Sequence, residues 1–505
     1  MLIIDCDTYL GRQAANFDEV TPETLLDAEG VEGVSYAMAY STKSRNYDAR
    51  CGNDEILQIA QRYPRILPVA SVDPREHCRF ESEIARVANL GFAALRVFPE
   101  LQGWQVDSLL FSRIVNACAE HAMPLMLSAN AAGRASEIVR VAQHTSNPII
   151  LLNVNYNALA EALSAAAMRP NTFISTQYFI TPGALEIAVE FVGAERLVLG
   201  TNCPDFSARP PINMVMLSEL SDEDKADILG ANLVRIIAPQ VRKLGLRLVE
   251  SADFVDYDKR RLGGPKIDVH GHIGPWPFPM RDCWAADLEK LMRKCGIERA
   301  IISSTEAIVN DFIEGNAVLA RELEKSDMLL GYVTVNPHRL EQSVQEMDKY
   351  LKLPKFVGVK LHPAYAEVSI DSEAVRRLAA EVAKRNVPFL IHTWGYGEPS
   401  KILKLAEEYP GMPIIMGHGG AVAWREAIEV LGKTSNVYME FCTSQCHRGK
   451  VRETIRAVGY DRILFGTDLG LFDPVHVLGT YEEAELSVEE EAAIMRDNAA
   501  KLFGL

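Results

Sequence analysis

Short apolar runs alternate with longer amphipathic stretches along the whole chain. In the C-terminal half, runs rich in Val, Ile and Leu are separated by segments such as DSEAVRRLAAEVAKRN, whose apolar residues recur at helical spacing. This alternation is typical of β/α units on a parallel sheet. The half contains eight such runs: KIDVH, RAIISST, LLGYVTV, VGVKLHP, PFLIHT, PIIMGH, VYMEF and RILFGTD. Eight strands with intervening helices in about 240 residues predict a (β/α)8 barrel. The alternative, a doubly wound open sheet, would need a glycine-rich phosphate loop after its first strand.

The N-terminal half repeats this pattern at a nearly constant offset of 263 to 266 residues. The paired segments are FAALRVFPE with FVGVKLHPA, MPLMLSAN with VPFLIHTW, NPIILLNVN with MPIIMGHGG, and AERLVLGTNCPDF with YDRILFGTDLGLF. At 505 residues the chain is also too long for one ordinary domain. We therefore predict an α/β protein of two tandem (β/α)8 TIM-type barrels, residues 1–247 and 265–505, joined by a charged linker at residues 248–264. Ser221 and Ser487 are predicted to cap the last helix of each copy.

Polar side chains follow the predicted strands of the second copy, where a barrel of this kind carries its functional groups. They are His270, His272, Lys360, His362, His392, His418 and Asp468. His270 and His272 alternate on one strand, so both can face the same ion. His392 would add a third nitrogen and Asp468 a carboxylate, a donor set suited to zinc or a related divalent ion. Taken singly, His362 or His418 would rather be interpreted as a hydrogen-bonded core residue.

The first copy carries different residues at the same places. Asp7, Tyr9, Ser128, Asn153 and Asn202 replace the two histidines of the first strand, His392, His418 and Asp468. Since no imidazole remains at these positions, we predict that the first barrel is degenerate and non-catalytic.

The motifs IDVHGH, GVKLHP, LIHT, GHGG and LFGTD, in this order, resemble the amidohydrolase superfamily. The resemblance is to the amidohydrolase-related group, which includes aminocarboxymuconate semialdehyde decarboxylase, resorcylate-type decarboxylases and lactone hydrolases. It implies one divalent metal ion, most simply zinc, held by His270, His272, His392 and Asp468. It also implies that His418 moves a proton or contacts substrate, and that Asp468 acts as a base. Lys360, beside His362, is either a carboxylated bridge between two ions, as in two-metal relatives, or a charge partner for a substrate carboxylate.

Two chemistries remain open for such a site. We predict a metal-dependent hydrolase of a small ester, lactone or amide that uses metal-activated water. The alternative is a metal-dependent, non-oxidative decarboxylase of an aromatic or enoic acid, and a second alternative is a non-catalytic metal- or ligand-binding scaffold. Arg281, Trp276 and Trp394 are predicted to contact substrate. The loop GPWPFPMRDCWAADL would then form a lid with Phe278 and Trp284, although it fits equally well as a loop packed on its own aromatics.

Charge and cysteine usage narrow the partners. The formal net charge of -16 argues against nucleic acid and anionic membranes as partners.

No basic leader and no apolar stretch of roughly 20 residues is present, so a cytoplasmic protein is expected. The nine cysteines are scattered, and the cluster of Cys442, Cys446 and His447 lacks a second ligand pair for a zinc knuckle. Because many relatives are dimers, the two copies are predicted to form an internal pseudo-dimer, with homo-oligomers possible and Arg45 or Arg50 as a donor between copies.

Overall fold

The computed structural model describes residues 1–13, 16–76, 79–248, 262–278 and 280–505. It divides into two compact units, residues 1–257 and 258–505. Most of the predicted linker, residues 249–261, lies outside the described residues.

The described part of the first unit contains a nine-stranded sheet in the order β2-β1-β3-β4-β5-β6-β7-β8-β9. All neighbours are parallel except β2, which pairs antiparallel with β1 at the edge. The strands are β1 (Ile4–Gln13), β2 (Asn16–Val20), β3 (Tyr36–Ser41), β4 (Ile66–Ser71), β5 (Ala94–Arg96), β6 (Leu125–Ser128), β7 (Ile149–Leu152), β8 (Thr172–Ser175) and β9 (Leu197–Val198). The helices are α1 (Pro22–Gly30), α2 (Thr42–Asn46), α3 (Ala49–Arg62), α4 (Phe80–Leu90), α5 (Pro99–Gln102), α6 (Leu109–Glu120), α7 (Arg134–Ala142), α8 (Leu159–Met168), α9 (Ala184–Val192), α10 (Arg209–Met216), α11 (Asp222–Ala226) and α12 (Asn232–Val241).

The described part of the second unit contains a seven-stranded, all-parallel sheet in sequence order. Its strands are β10 (Lys266–Ile273), β11 (Ile297–Ser304), β12 (Leu329–Thr334), β13 (Phe356–Leu361), β14 (Phe389–Trp394), β15 (Ile414–Gly420) and β16 (Val437–Met439). Its helices are α13 (Ala285–Cys295), α14 (Thr305–Val309), α15 (Phe312–Leu323), α16 (Leu340–Tyr350), α17 (Glu373–Ala383), α18 (Glu398–Glu408), α19 (Trp424–Lys433), α20 (Lys450–Val458), α21 (Pro474–Glu482), α22 (Val488–Ala492) and α23 (Asn498–Phe503).

Seven of the eight strands predicted in this unit form, and the eighth differs. The RILFGTD segment is extended but pairs only through isolated bridges at Ile463 and Leu469. The reason is that side-chain hydrogen bonds replace ladder bonds near its end: Thr467 donates from its backbone N–H (3.1 Å) and from Oγ1 (2.5 Å) to the Asp268 carboxylate.

Each sheet curls so that its first strand approaches its last segment. In the first unit, Cys6 N donates to Leu199 O (3.0 Å). In the second unit, Val269 N donates to Phe465 O (3.0 Å), and Leu464 N donates to Met439 O (2.8 Å). The described residues therefore form a mixed α/β fold with curled parallel sheets, as in a TIM-type barrel.

Apolar side chains of successive strands fill the interior of each sheet. In the second unit the core includes Val269, Ile301, Tyr332, Leu390 and Ile415, one from each of five strands. These residues alternate along their strands with residues on the other face, as the period of two requires. The carboxyl ends of the strands meet around one opening, and the polar residues predicted from the sequence lie there.

The predicted helix caps are confirmed. The side chain of Ser221 accepts from Asp224 N, and that of Ser487 accepts from Glu490 N. Each capped helix continues through a π-helical turn, Asp227–Ala231 in one unit and Ala493–Asp497 in the other. Within the part of the chain that the structure describes, no helix is both long enough and apolar enough to cross a membrane.

Candidate metal centre

The first strand of the second unit brings two imidazoles into its interior. His270 and His272 lie on β10 and are 0% and 3% exposed. The Asp268 carboxylate, two residues before His270, accepts from the His270 backbone N–H (3.0 Å) and ties β10 to Thr467. Burial raises the pKa of Asp268 to about 7, although the hydrogen bonds from Thr467 and from the His270 backbone oppose this shift.

Asp468 completes a group of three potential ligands. The His272 Nε2 atom lies 2.8 Å from Asp468 Oδ1, and His270 Nε2 lies 3.9 Å from the same oxygen. One ligand atom from each of the three residues lies within 4.8 Å of the others. Asp468 follows Thr467 in the left-handed conformation, with φ of 60°, which turns its side chain out of the extended segment.

His392, the fourth predicted ligand, does not belong to this group. Its Nδ1 atom lies 2.8 Å from His418 Nε2, and its ring stacks on His362 with centroids 3.9 Å apart. The structure thus places His362, His392 and His418 together as a second histidine group, beside the first. The rings of His270 and His418 lie 4.7 Å apart and join the two groups.

Lys360 lies at the bottom of the site. It is fully buried, and its Nζ atom lies 2.8 Å from His270 Nε2. Burial lowers the pKa of Lys360 to about 8, partly offset by the nearby Asp468 carboxylate. An ammonium group that is easily deprotonated therefore stands beside the candidate ligands.

Glu440 and Cys442 belong to the site, although Glu440 was missed from the sequence and Cys442 was considered there only as part of a zinc knuckle. Glu440 Oε1 lies 2.8 Å from His270 Nδ1 and accepts from the backbone N–H of His418 (2.6 Å), and Oε2 accepts from Cys442 N (2.6 Å). Cys442 Sγ lies 3.2 Å from His270 Nδ1. A polar residue at the end of a strand could have identified Glu440, because it lies within the predicted strand VYMEF and directly after the observed strand β16.

Electrostatics favour neutral imidazoles and an ionised carboxylate here. Burial lowers the pKa of both His270 and His272, so their ring nitrogens keep lone pairs at neutral pH. Burial alone would raise the pKa of Asp468, but the adjacent His272 and His270 hold it below its usual value. Neutral imidazoles and a carboxylate are the protonation states that metal ligands need.

Aromatic rings surround the histidines. The Trp276 ring lies 5.2 Å from that of His272 and stacks on Phe278 at 6.0 Å. Trp394 stacks on His392, with centroids 6.1 Å apart. Trp284 and Arg281, the other loop residues singled out in the sequence, are exposed, and the structure shows no contact of the Arg281 side chain with the described site residues.

The remaining candidates lie elsewhere. Cys446 Sγ lies 3.2 Å from His476 Nε2 rather than beside His447 in a ligand group. In the first unit, Arg45 Nη1 donates to Tyr40 Oη (3.1 Å), and Arg50 is exposed.

The first unit holds an ion pair where the second has its ligands. The Arg96 guanidinium, at the position of Lys360, bonds the carboxylate of Asp7, at the position of His270. Tyr9 Oη donates to Asp205 Oδ1 (2.5 Å), and Asn153 Nδ2 lies 3.5 Å from Ser128 Oγ. Asn202 Nδ2 donates to Asn153 Oδ1 (3.4 Å). Asn153 and Asn202 have left-handed backbones, with φ of 56° and 59°. Their counterparts in the second unit, His418 and Asp468, have nearly the same φ, 63° and 60°.

Curated relatives point to decarboxylation. The chain is 23% identical over 286 residues to gamma-resorcylate decarboxylase of Rhodococcus jostii. The aligned residues cover 43% of this chain and 86% of that protein. It is 24% identical over 190 residues to the protein y4mH of Sinorhizobium fredii, covering 31% of this chain and 64% of y4mH, slightly under two thirds of its length. A solved dihydroxybenzoic acid decarboxylase from Polaromonas, with bound manganese and the inhibitor 2-nitroresorcinol, superposes with a TM-score of 0.40 at 19% identity, over 48% of this chain and 98% of that one.

These relatives correct the predicted chemistry. Hydrolysis was preferred from the sequence because of the breadth of the superfamily, and no single residue supported that choice. The curated relatives with named activities are gamma-resorcylate decarboxylases. The preference for a hydrolase is therefore wrong. The amidohydrolase family model matches residues 9–236 and again residues 267–505. Together these ranges span most of both units, and the chain belongs to the amidohydrolase family.

Proposed function

We propose that this chain is a divalent-metal-dependent, non-oxidative decarboxylase of a small aromatic acid, with its active site in the second unit. The observation that carries the proposal is the buried convergence of His270, His272 and Asp468 beside Lys360, in a chain that has two gamma-resorcylate decarboxylases among its curated relatives. An aromatic substrate also suits the rings of Trp276 and Trp394 that surround the histidines.

The Asp468 oxygen lies close enough to each of the two imidazole nitrogens to share an ion with it. Two ligand atoms bound to one zinc ion, each roughly 2.1 Å from it, lie at most about 4.2 Å apart. The separations of 2.8 and 3.9 Å between the Asp468 oxygen and the two imidazole nitrogens satisfy this limit. The nitrogen-rich donor set supports zinc, although a carboxylate with imidazoles also accepts manganese. A bound divalent ion would supply a Lewis acid for a substrate oxygen.

Hydrogen bonds set the tautomers that such a site needs. The Glu440 carboxylate accepts a hydrogen bond from His270 Nδ1, which leaves the lone pair of His270 on Nε2. Cys442 O can only accept, so the Nδ1 atom of His418 carries its proton. His392 Nδ1 then donates to His418 Nε2, which leaves His392 Nε2 free to accept a proton or to join the ligand set.

Decarboxylation breaks the bond between the ring and the carboxyl carbon and releases carbon dioxide. The electron pair stays on the ring carbon, which then takes one proton, so no oxidant or reductant is needed. Lys360 would pair with a substrate anion, and the hydrogen-bonded His392 and His418 would pass the proton, with His362 packed against them. Asp468 would stay ionised as a ligand and charge partner.

We also propose that each unit is a closed (β/α)8 barrel and that the chain arose by duplication. The hydrogen bonds of Cys6 with Leu199 and of Val269 with Phe465 support closure. Matched contacts support duplication: Asn53 Nδ2 donates to Ser71 O (2.9 Å) and Asn316 Nδ2 to Thr334 O (3.0 Å). On this proposal the first barrel has lost its metal site and carries no catalysis.

The test is a product assay with gamma-resorcylate, which is 2,6-dihydroxybenzoate. Wild-type protein loaded with zinc or manganese should form resorcinol and carbon dioxide in equal amounts. The variant His270→Ala/His272→Ala should form neither, while the control His144→Ala, at an exposed histidine of the first unit, should match the wild type. Absence of both products from every hydroxybenzoate tried, with metal bound, would contradict the proposal.

A further inference from the structure

A buried ion pair lies at the strand ends of the first unit. The Arg96 side chain is 10% exposed and bonds the carboxylate of Asp7, which is 2% exposed. The Arg96 guanidinium also lies over two rings, 4.8 Å from the centroid of Tyr40 and 5.1 Å from that of Phe98. Within the described residues, Asp7 is the one hydrogen-bond partner of Arg96, and it is bonded by Nη1. The N–H groups of Arg96 Nε and Nη2 can therefore donate to a ligand.

Buried polar atoms beside this pair also lack partners. Asp7 Oδ2 and both amide atoms of Gln177 are buried without a hydrogen bond to any described residue. Gln177 takes the register position of Cys442, because β8 pairs with β7 as β16 pairs with β15. Gln177 lies in the short turn Thr176–Tyr178, directly after β8, at the carboxyl end of that strand. Buried donors and acceptors are paired in nearly all proteins, so these atoms call for a ligand or water.

A cavity opens among the loops that follow four strands of the first unit. Its volume is about 790 Å³, and the loops after β1, β3, β4 and β5 line it, including Gln13, Arg45, Arg75 and Gln102. This volume lies within the range of pockets that take small molecules. The cavity therefore has room for a small organic ligand.

Arg45 connects the cavity to the ion pair. It lies 5.6 Å from the centroid of the Phe98 ring, the ring that Arg96 also contacts. Its Nε atom is buried without a partner, and no carboxylate among the described residues pairs with it. Of the acidic residues that line the cavity, Asp73 is bound by Arg75 (2.8 Å), and Glu76 is the other. The region thus offers guanidinium donors for an anion and carboxylate acceptors for hydroxyl groups.

We propose that the strand-end region of the first unit binds a small hydroxylated organic acid without a metal ion. Arg96 and Arg45 supply donors for its carboxylate, and Asp7 and Gln177 bond its hydroxyl groups. The mixture of donors and acceptors matches a hydroxy acid better than a plain anion, because Asp7 would repel a second unprotonated oxygen. The first unit then serves as a separate ligand site of the enzyme.

The test measures binding to full-length protein that carries His270→Ala/His272→Ala. Isothermal titration with 2,6-dihydroxybenzoate should show one molecule bound per chain, and resorcinol, which lacks the carboxylate, should bind at least about 10-fold more weakly. Arg45→Ala should weaken binding by a similar factor, whereas Arg62→Ala, an exposed arginine of the same unit, should leave it unchanged.

A second variant removes the ion pair as a unit. Asp7→Asn/Arg96→Met leaves no lone buried charge and should abolish binding. Circular dichroism shows whether this variant folds. If it does not, binding to the Arg45→Ala and Gln177→Leu variants tests the proposal instead. Absence of binding, or binding that Arg45→Ala and Gln177→Leu leave unchanged, would overturn the proposal.

Only the choice of a hydroxybenzoate probe rests on the proposed function. Binding at this site without any turnover by the wild type would remove the decarboxylase proposal and leave the site in place. Turnover by the wild type, together with no binding to the His270→Ala/His272→Ala variant, would remove the ligand site of the first unit and leave the decarboxylase proposal in place.

Discussion

At the scale of single residues, Glu440 sets the geometry of the candidate metal centre. This fully buried carboxylate contacts His270 Nδ1 and accepts the backbone N–H groups of His418 and Cys442. It therefore fixes the ring of His270 and the backbone from which His418 projects. Carboxylates that bond metal-binding histidines in this way commonly strengthen metal affinity.

Replacing Glu440 should weaken metal binding. Glu440→Gln keeps the shape but removes the charge that favours the Nδ1–H tautomer of His270, so metal affinity should fall by about 10- to 100-fold. Competition with a chelator of known affinity measures the change. Glu429→Gln, at an exposed glutamate of α19, is the matched control. Equal affinities of both variants and the wild type would show that Glu440 does not support the metal.

Asp5 should make the stability of the first unit depend on pH. Burial raises the pKa of Asp5 from 3.8 to about 6, against hydrogen bonds from Thr201 and the Asp7 backbone, and burial also raises the pKa of its neighbour Glu29. Because the folded state binds the Asp5 proton more tightly, its contribution is complete below pH 4 and is lost as pH rises through 6.

The expected loss is about 2 kcal/mol between pH 4 and pH 7. Urea unfolding at both pH values measures it as the difference between the wild type and Asp5→Asn. The control Asp27→Asn, at an exposed position of α1, should follow the wild type. Parallel pH profiles for Asp5→Asn and the wild type would contradict this account.

At the scale of elements, paired helices pack closely behind β3 and β11. A Cβ atom at Gly315 on α15 would overlap the backbone nitrogen of Ala307 on α14, and one at Gly52 on α3 would overlap that of Ser44 on α2. Glycine at both positions lets two short helices approach each other. The same contact in both units explains why the sequence has glycine at both positions, each followed by asparagine.

Gly315→Ala should therefore destabilise the second unit by about 1–3 kcal/mol, because the backbone must shift to admit a methyl group. Thermal unfolding followed by circular dichroism measures the loss. Gly432→Ala provides the control: it lies in α19 with its nearest atom, Val458 Cγ1, 3.8 Å from the added Cβ, and should be neutral or slightly stabilising. Equal melting temperatures for the two variants would contradict the close approach.

Sequence periodicity predicted the strands and the polar strand ends because both depend on local pattern. His270 and His272 alternate on one strand, and their shared direction follows from that spacing alone. The separation of His392 from the ligand group depends on its stacking with His362 and its bond to His418, which no local pattern encodes. The edge strand β2 was missed for a related reason, because its antiparallel pairing with β1 is not marked by the apolar pattern of its own residues.

At the scale of the whole molecule, two units of one family carry different strand-end chemistry. The second has neutral imidazoles with Asp468, and the first has the ion pair of Arg96 with Asp7. A guanidinium at the place of Lys360 brings a fixed positive charge to the position where an ion would be held, and this charge would repel a metal cation.

The account therefore predicts one divalent ion per chain. Elemental analysis after dialysis should find about one ion in the wild type and in Asp7→Asn/Arg96→Met, and almost none in His270→Ala/His272→Ala. Two ions per wild-type chain would instead implicate Lys360 as a bridge or a metal site in the first unit.

The central claim is that decarboxylation requires the ion held by the second unit, and titration of metal-free protein tests it most directly. Carbon dioxide release from 2,6-dihydroxybenzoate should be absent without metal and should rise in proportion to bound ion until one ion per chain is reached. Undiminished release from protein verified to be metal-free, or no release at full occupancy, would contradict the account.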